Sequence, residues 1–301
     1  MNQFMRRVCA AGCWLGLTAG LVAAAASDDY THEIEAWRTH RVNQLVKPDG
    51  WLTLIGLHFL KTGENTVGSA ADNSVVLAKG PAHLGTVFLD KDGRVKAVFN
   101  PGLGVQVDGN EELAADLRDD THGHQSLVSV GTVSFLVIDR GGRKALRVQD
   151  SESDRRVHVL GLDYFPIDPS WRIEADWVAY EKPREVPIRN VLGDVAPALI
   201  LGKAVFQRDG HTYELLPIQE APDDVLFFVI SDQTSGKETY AAARFLYASP
   251  PENGKVILDF NRAQNPPCAF TPFATCPLPP KENQLPIAVT AGEKNYRGHH
   301  E

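Results

Sequence analysis

The side chains best suited to chemistry crowd toward the C-terminal end of the chain. Asp259, Asn261, Arg262, Asn265, Glu282, Asn283 and Glu293 are interleaved with Pro266, Pro267, Pro272, Pro277, Pro279, Pro280 and Pro286, and Arg244 lies a short way before them. Arginine suits bidentate recognition of an anion, and two carboxylates that converge can divide acid and base roles. Proline denies this segment a regular ladder, so its backbone groups must be satisfied in other ways. The amides of Asn261, Asn265 and Asn283 offer donors and acceptors either to the loop itself or to something the loop encloses. The ligand-binding candidates are therefore Arg244, Asp259, Asn261, Asn265, Glu282 and Asn283. Spacing alone assigns none of them a catalytic role.

Other motifs carry less. No Gly-x-Ser-x-Gly elbow, His-Glu-x-x-His helix, phosphate loop or dinucleotide glycine motif occurs. Thr234-Ser235-Gly236-Lys237 lacks the upstream glycine of a phosphate loop and reads as a turn. Asp90-Lys91-Asp92-Gly93 lacks the later oxygen ligands of a calcium loop and reads as a hairpin turn. His122 and His124 offer two imidazoles in a polar loop, without a cysteine or a carboxylate cluster that completes a tetrahedral zinc site. Neither a metal nor a cofactor is expected.

The elements that must position the candidates are mostly strands. Arg6 and Arg7, an uncharged stretch from Val8 to Ala26, and small residues at Ala24 and Ala26 have the order of a signal peptide over residues 1–26. The protein is then periplasmic or secreted, or tethered to a membrane if the leader is retained; cleavage leaves no stable span. Cys9 and Cys13 fall within the leader, and Cys268 and Cys276 read as one disulfide in an oxidising compartment. A net charge of −8 over 301 residues argues against nucleic acid as a partner.

Tyr30, Ile34, Trp37, Val42 and Leu45 recur at helical spacing within 27–49, and Pro48-Asp49-Gly50 ends that amphipathic helix. From Trp51 onward, short β-type runs alternate with turn clusters such as Asn100-Pro101-Gly102 and Arg140-Gly141-Gly142, which predicts a sandwich or barrel. The continuous run Val225 to Ile230 predicts a strand buried on both faces.

Two resemblances extend this reading. Leu60 to Ser69, Asn73 to Leu77, Val107 to Asn110 and Val130 to Ile138 resemble segments of a forkhead-associated β-sandwich. Ser69 stands where that family carries its phosphothreonine-binding Arg, Pro81-Ala82-His83-Leu84 where its Ser and His fall, and Asp108 where its Asn falls. The resemblance implies the frame without phosphopeptide binding, since the guanidinium fork is missing. The mature chain also resembles a bacterial family known as domain of unknown function 1684. Gly161 to Pro166, Asp232 to Gly236 and, above all, Asp259 to Phe270 with Phe273 to Pro280 carry that likeness.

The expected fold is mainly β: a helix over 27–49, a forkhead-associated-like sandwich over 50–150, and a second β-rich unit over 151–301 with its long proline-rich segment. The expected function is binding of a small molecule or glycan in the C-terminal half. The alternatives are a hydrolase using carboxylates in the same cleft, and a structural adaptor of the envelope with a protein partner.

Overall fold

The computed structural model describes residues 17–121, 123–219 and 221–298, with side chains from Asp28 onward. Residues 1–16, most of the expected leader, and His122 lie outside the described residues. Among the described residues no helix is long and apolar enough to cross a membrane.

The fold is mainly β. The first strands, in chain order, are β1 (Leu54–Phe59), β2 (Gly63–Gly68), β3 (Val75–Val76), β4 (Gly85–Leu89), β5 (Val95–Phe99), β6 (Gln106–Val107), β7 (Asn110–Glu111), β8 (Ala114–Leu117), β9 (Leu127–Val130), β10 (Val133–Arg140) and β11 (Arg143–Asp150). They form a six-stranded sheet in the order β1-β11-β10-β9-β6-β7 and a five-stranded sheet in the order β3-β2-β4-β5-β8. Period-two alternation decides which face each strand buries. In β5, Val95, Ala97 and Phe99 are buried while Lys96 and Val98 are exposed. Val67, Val87 and Phe99 from one sheet share a core with Val128, Phe135 and Val148 from the other, which makes the pair a sandwich. Ser69 donates its hydroxyl to the Gly80 carbonyl at 2.9 Å, so it serves a turn.

The second unit holds β12 (Arg172–Arg189), β13 (Val195–Arg208), β14 (His211–Leu215), β15 (Leu226–Ile230), β16 (Arg244–Ala248) and β17 (Lys255–Asp259). One sheet runs β14-β13-β12-β17, and β15 pairs with β16 in a separate ribbon. Trp171, Phe206, Phe228, Leu246, Leu258 and Phe260 pack between them. The β12–β13 hairpin is long, and most of its outer half is exposed, although Ile188 and Ile200 are buried there. Its register shifts between Ala179 and Arg184. Beyond that bulge the tip joins the proline-rich segment, where Val191 N–H donates to the Cys276 carbonyl at 3.0 Å and Leu278 N–H to Arg189 at 2.7 Å.

Helix α1 (Leu17–Leu45) buries Ile34 and Leu45 and packs on the second unit. The Tyr30 hydroxyl donates to Asp259 at 2.8 Å and Arg38 to the Phe165 carbonyl at 2.8 Å. The proline-rich segment is irregular apart from 3-10 turns at Phe260–Arg262, Pro267–Ala269 and Lys281–Asn283.

Candidate functional site

Where the sandwich meets the second unit there is a cleft of about 340 Å³. The sandwich contributes Trp51, Arg140 and Arg147; the second unit contributes Phe227, Tyr247 and Cys276; α1 adds Arg41, and the proline-rich segment adds Asn265. Phe227 and Tyr247 are directly paired across β15 and β16, and their rings stack at 5.0 Å with planes 15° apart. Phe245 meets Phe227 edge-on at 4.8 Å.

The three arginines differ in how their charges are answered. Arg41 Nε donates to Glu293 Oε1 at 2.9 Å and its Nη2 to the Asn265 carbonyl at 2.9 Å. Arg140 binds Asp120 at 2.6 Å and the Thr275 hydroxyl at 2.9 Å. Arg147 has neither a hydrogen bond nor an ion pair among the described residues, and its Nε is buried without a partner. Its guanidinium lies 5.4 Å over the Trp51 ring. Burial, and then the charge of Arg140, push its pKa below the usual arginine value, yet a guanidinium stays protonated in proteins. Arg147 is thus a partly desolvated cation with no counter-charge of its own, an arrangement that costs free energy unless something completes it.

Asn265 is fully buried. Its Nδ2 donates to the Lys294 carbonyl at 2.7 Å and its backbone N–H to Glu293 Oε2 at 2.7 Å, while Oδ1 has no partner. The donation to Lys294 fixes which end of the amide is the acceptor. Gly292 allows this packing: its φ is +84°, and a Cβ there would sit 2.4 Å from the Ala263 carbonyl oxygen. Burial pushes the Glu293 carboxyl above its ordinary pKa, opposed by Arg41 and the Asn265 N–H.

Of the six residues singled out in the sequence, the structure brings only Asn265 to this cleft. Arg244 is buried in the second unit, donating to Asp232 Oδ2 at 2.8 Å, to the Val289 carbonyl at 3.0 Å and to the Ala291 carbonyl. Asn261 joins the Asp168 backbone to Tyr30, and Asn283 ties Leu216 to Val229 through bonds of 2.7–3.0 Å. Asp259 accepts from Tyr30 and borders a surface hollow with Arg172 and Lys255. Glu282 is exposed beside His211 in a different hollow. Asp259 and Glu282 do not converge, and no carboxylate side chain lines the arginine cleft among the described residues.

The expected disulfide is absent: Cys268 and Cys276 are free thiols. Each Sγ instead faces the other residue's backbone N–H, at 3.2 and 3.3 Å, so the pair is held by reciprocal N–H···S contacts. Hydrogen bonding from Cys276 draws the Cys268 pKa down, and the same contact with burial pushes that of Cys276 up. Among the described residues no group of three or more His, Cys, Asp or Glu side chains has a metal's spacing. A larger hollow of about 640 Å³ lies beside Lys79 and Asp150, but those two answer each other at 2.8 Å. Its edge at Tyr296 and Gly298 adjoins residues outside the description.

Arg147 and Arg140 were missed because nothing in a single β-type run marks a strand's outer face as a cleft wall. One signal was present. Arg147 sits on the central strand β11 with Leu57 and Leu136 as its cross-strand neighbours, a charge set in an apolar row.

The architecture is thus a β-sandwich joined to a second β unit, with an arginine-lined cleft between them. Residues 158–294 match the model of the family described as protein of unknown function (DUF1684), and the chain belongs to that family. It is similar to an uncharacterised protein of Haloarcula marismortui solved by NMR, at 32% identity over 48% of this chain and 81% of that one, with a TM-score of 0.40. A structure of Rad53 residues 1–466 with AMP-PNP aligns over 72% of this chain and 48% of that one, at 12% identity and a TM-score of 0.16. No curated protein matches. At those TM-scores neither structural likeness bears on the site.

Proposed function

We propose that this protein binds a small anionic molecule in the cleft between the sandwich and the second unit, acting in the periplasm or outside the cell after loss of its leader. The observation that carries this reading is Arg147, a partly buried guanidinium without an ion pair or hydrogen bond among the described residues. Leaving such a group unpaired costs free energy, and an entering carboxylate or phosphate would repair it with charge-assisted hydrogen bonds. Arg41 and Arg140, held in place by Glu293 and Asp120, frame the same space. Binding is favoured over hydrolysis in this cleft because no carboxylate lines it among the described residues, and Asp259 and Glu282 border separate hollows away from it.

Thermal unfolding of the intact protein against mono- and dicarboxylates, phosphate and acidic sugars tests the reading. An anion should raise the melting temperature of the parent protein, and the rise should vanish in Arg147→Ala. If every anion leaves the parent unmoved, or if Arg147→Ala responds as the parent does, the reading is wrong.

A further inference from the structure

Three features of the cleft constrain its occupant beyond the sign of its charge, and each follows from a group already placed. The charges of Arg41 and Arg140 are matched by Glu293 and Asp120, so only the charge of Arg147 is left over. No carboxylate side chain lines the cleft among the described residues, so nothing in its wall competes for that charge. The apolar part of the wall is aromatic: Phe227 and Tyr247 form a stacked pair, Tyr247 is 44% exposed, and Trp51 at the rim is 37% exposed. Large rings left in contact with water at the edge of a cleft offer flat faces that an aliphatic body cannot match.

We infer that the ligand is a monoanionic aromatic acid, with its acid on Arg147 and its ring against Tyr247 and Phe227. This rests on the anion-binding reading above and narrows it to a chemical class. Each group of the occupant answers one group of the protein. The acid supplies the missing counter-charge, and the ring covers the exposed aromatic faces. A cleft of about 340 Å³ is of a size for a single-ring molecule, at the lower end of the usual range for ligand pockets.

Isothermal titration of the intact protein separates these parts. The probes are the three hydroxybenzoate isomers, benzoate, cyclohexanecarboxylate, acetate and the hydroxybenzamides. Benzoate and the hydroxybenzoates should bind tightest. Cyclohexanecarboxylate should be weaker by up to about ten-fold, having lost the ring stacking. The neutral amides should show no heat. Tyr247→Ala, a change at a half-exposed position that leaves the fold intact, should weaken hydroxybenzoate about ten-fold and leave acetate unaffected.

If acetate or cyclohexanecarboxylate binds as tightly as the best hydroxybenzoate, or if Tyr247→Ala binds hydroxybenzoate as the parent does, the aromatic class is overturned while anion binding stands. If amides bind as tightly as acids, or no anion binds, the underlying reading falls and takes this inference with it.

Discussion

Arg244 and Arg147 are both arginines withdrawn from water, each with a buried and unpartnered Nε, and they differ in what answers the charge. Around Arg244 the chain answers the charge: Asp232 pairs with it, and the Val289 and Ala291 carbonyls accept from its terminal amino groups. Asp232 is itself committed, accepting the Thr234 N–H at 2.9 Å, the Thr234 hydroxyl at 2.7 Å and the Val289 N–H at 3.2 Å. Around Arg147 the chain supplies a ring and no acceptor. A guanidinium whose charge is answered fixes the shape of the segment wrapped around it. One whose charge is unanswered leaves an interaction open to a visitor. The contrast separates the two roles by bonding, whereas burial alone would have grouped them.

The comparison can be broken most directly at Arg244. Replacing it with Met leaves Asp232 buried without its cation, and breaking a buried pair in this way costs about 3–5 kcal/mol. A urea midpoint within experimental error of the parent would mean the knot contributes nothing and the distinction fails. Next in size is Asn283→Ala, which strands the Leu216 N–H and two carbonyls in the interior. Each unsatisfied group is costly, and the loss should be about 1–3 kcal/mol or more by chemical denaturation.

A third test uses the carboxyl that links α1 to the cleft. Burial raises the Glu293 pKa in the folded chain above its unfolded value of about 4.3. Below that unfolded value both states are protonated and nothing changes. Between the two pKa values the folded state holds the extra proton, so stability falls as pH rises, at no more than about 1.4 kcal/mol per pH unit. Glu293→Gln should therefore gain on the parent as pH climbs from about 4.3, and a stability difference independent of pH would refute the assignment. The smallest effect is expected at Arg147. Arg147→Met removes no bond and should leave stability within about 0.5 kcal/mol of the parent while abolishing anion binding. A loss of several kcal/mol would make Arg147 a structural residue like Arg244.

Much of the frame was legible because runs and turns are local signals. β15 falls within a residue of the run Val225 to Ile230, Arg140-Gly141-Gly142 is the turn between β10 and β11, and the helix ends just ahead of Pro48. The outer half of the β12–β13 hairpin was not legible by alternation on either strand, since Glu181, Arg184 and Glu185 are polar and exposed while Val195 to Leu201 is a continuous apolar run. The fate of the proline-rich segment was legible in kind and not in place. Its asparagines bond to backbone as broken segments require, yet whether Asn265 faces a cleft depends on β11 and β16, which are distant in sequence. The cysteines show the same limit, because their spacing places them side by side without deciding the bond between them. Arg147 could be read only once Leu57 and Leu136 were known to flank it.

The docking of α1 bears on how the chain reaches its native state. Tyr30 and Asp259 are 229 positions apart, and Arg41 and Glu293 are 252 apart, so the helix has no final resting place until the distant segment is at hand. The sandwich between them draws on contacts within its own stretch and is free to form first. Contacts of such long separation carry the largest loop-closure cost and belong to the late, slow phase of folding. Ile34 and Leu45 remain uncovered through that interval, which is when a chain of this length is most prone to associate with its neighbours.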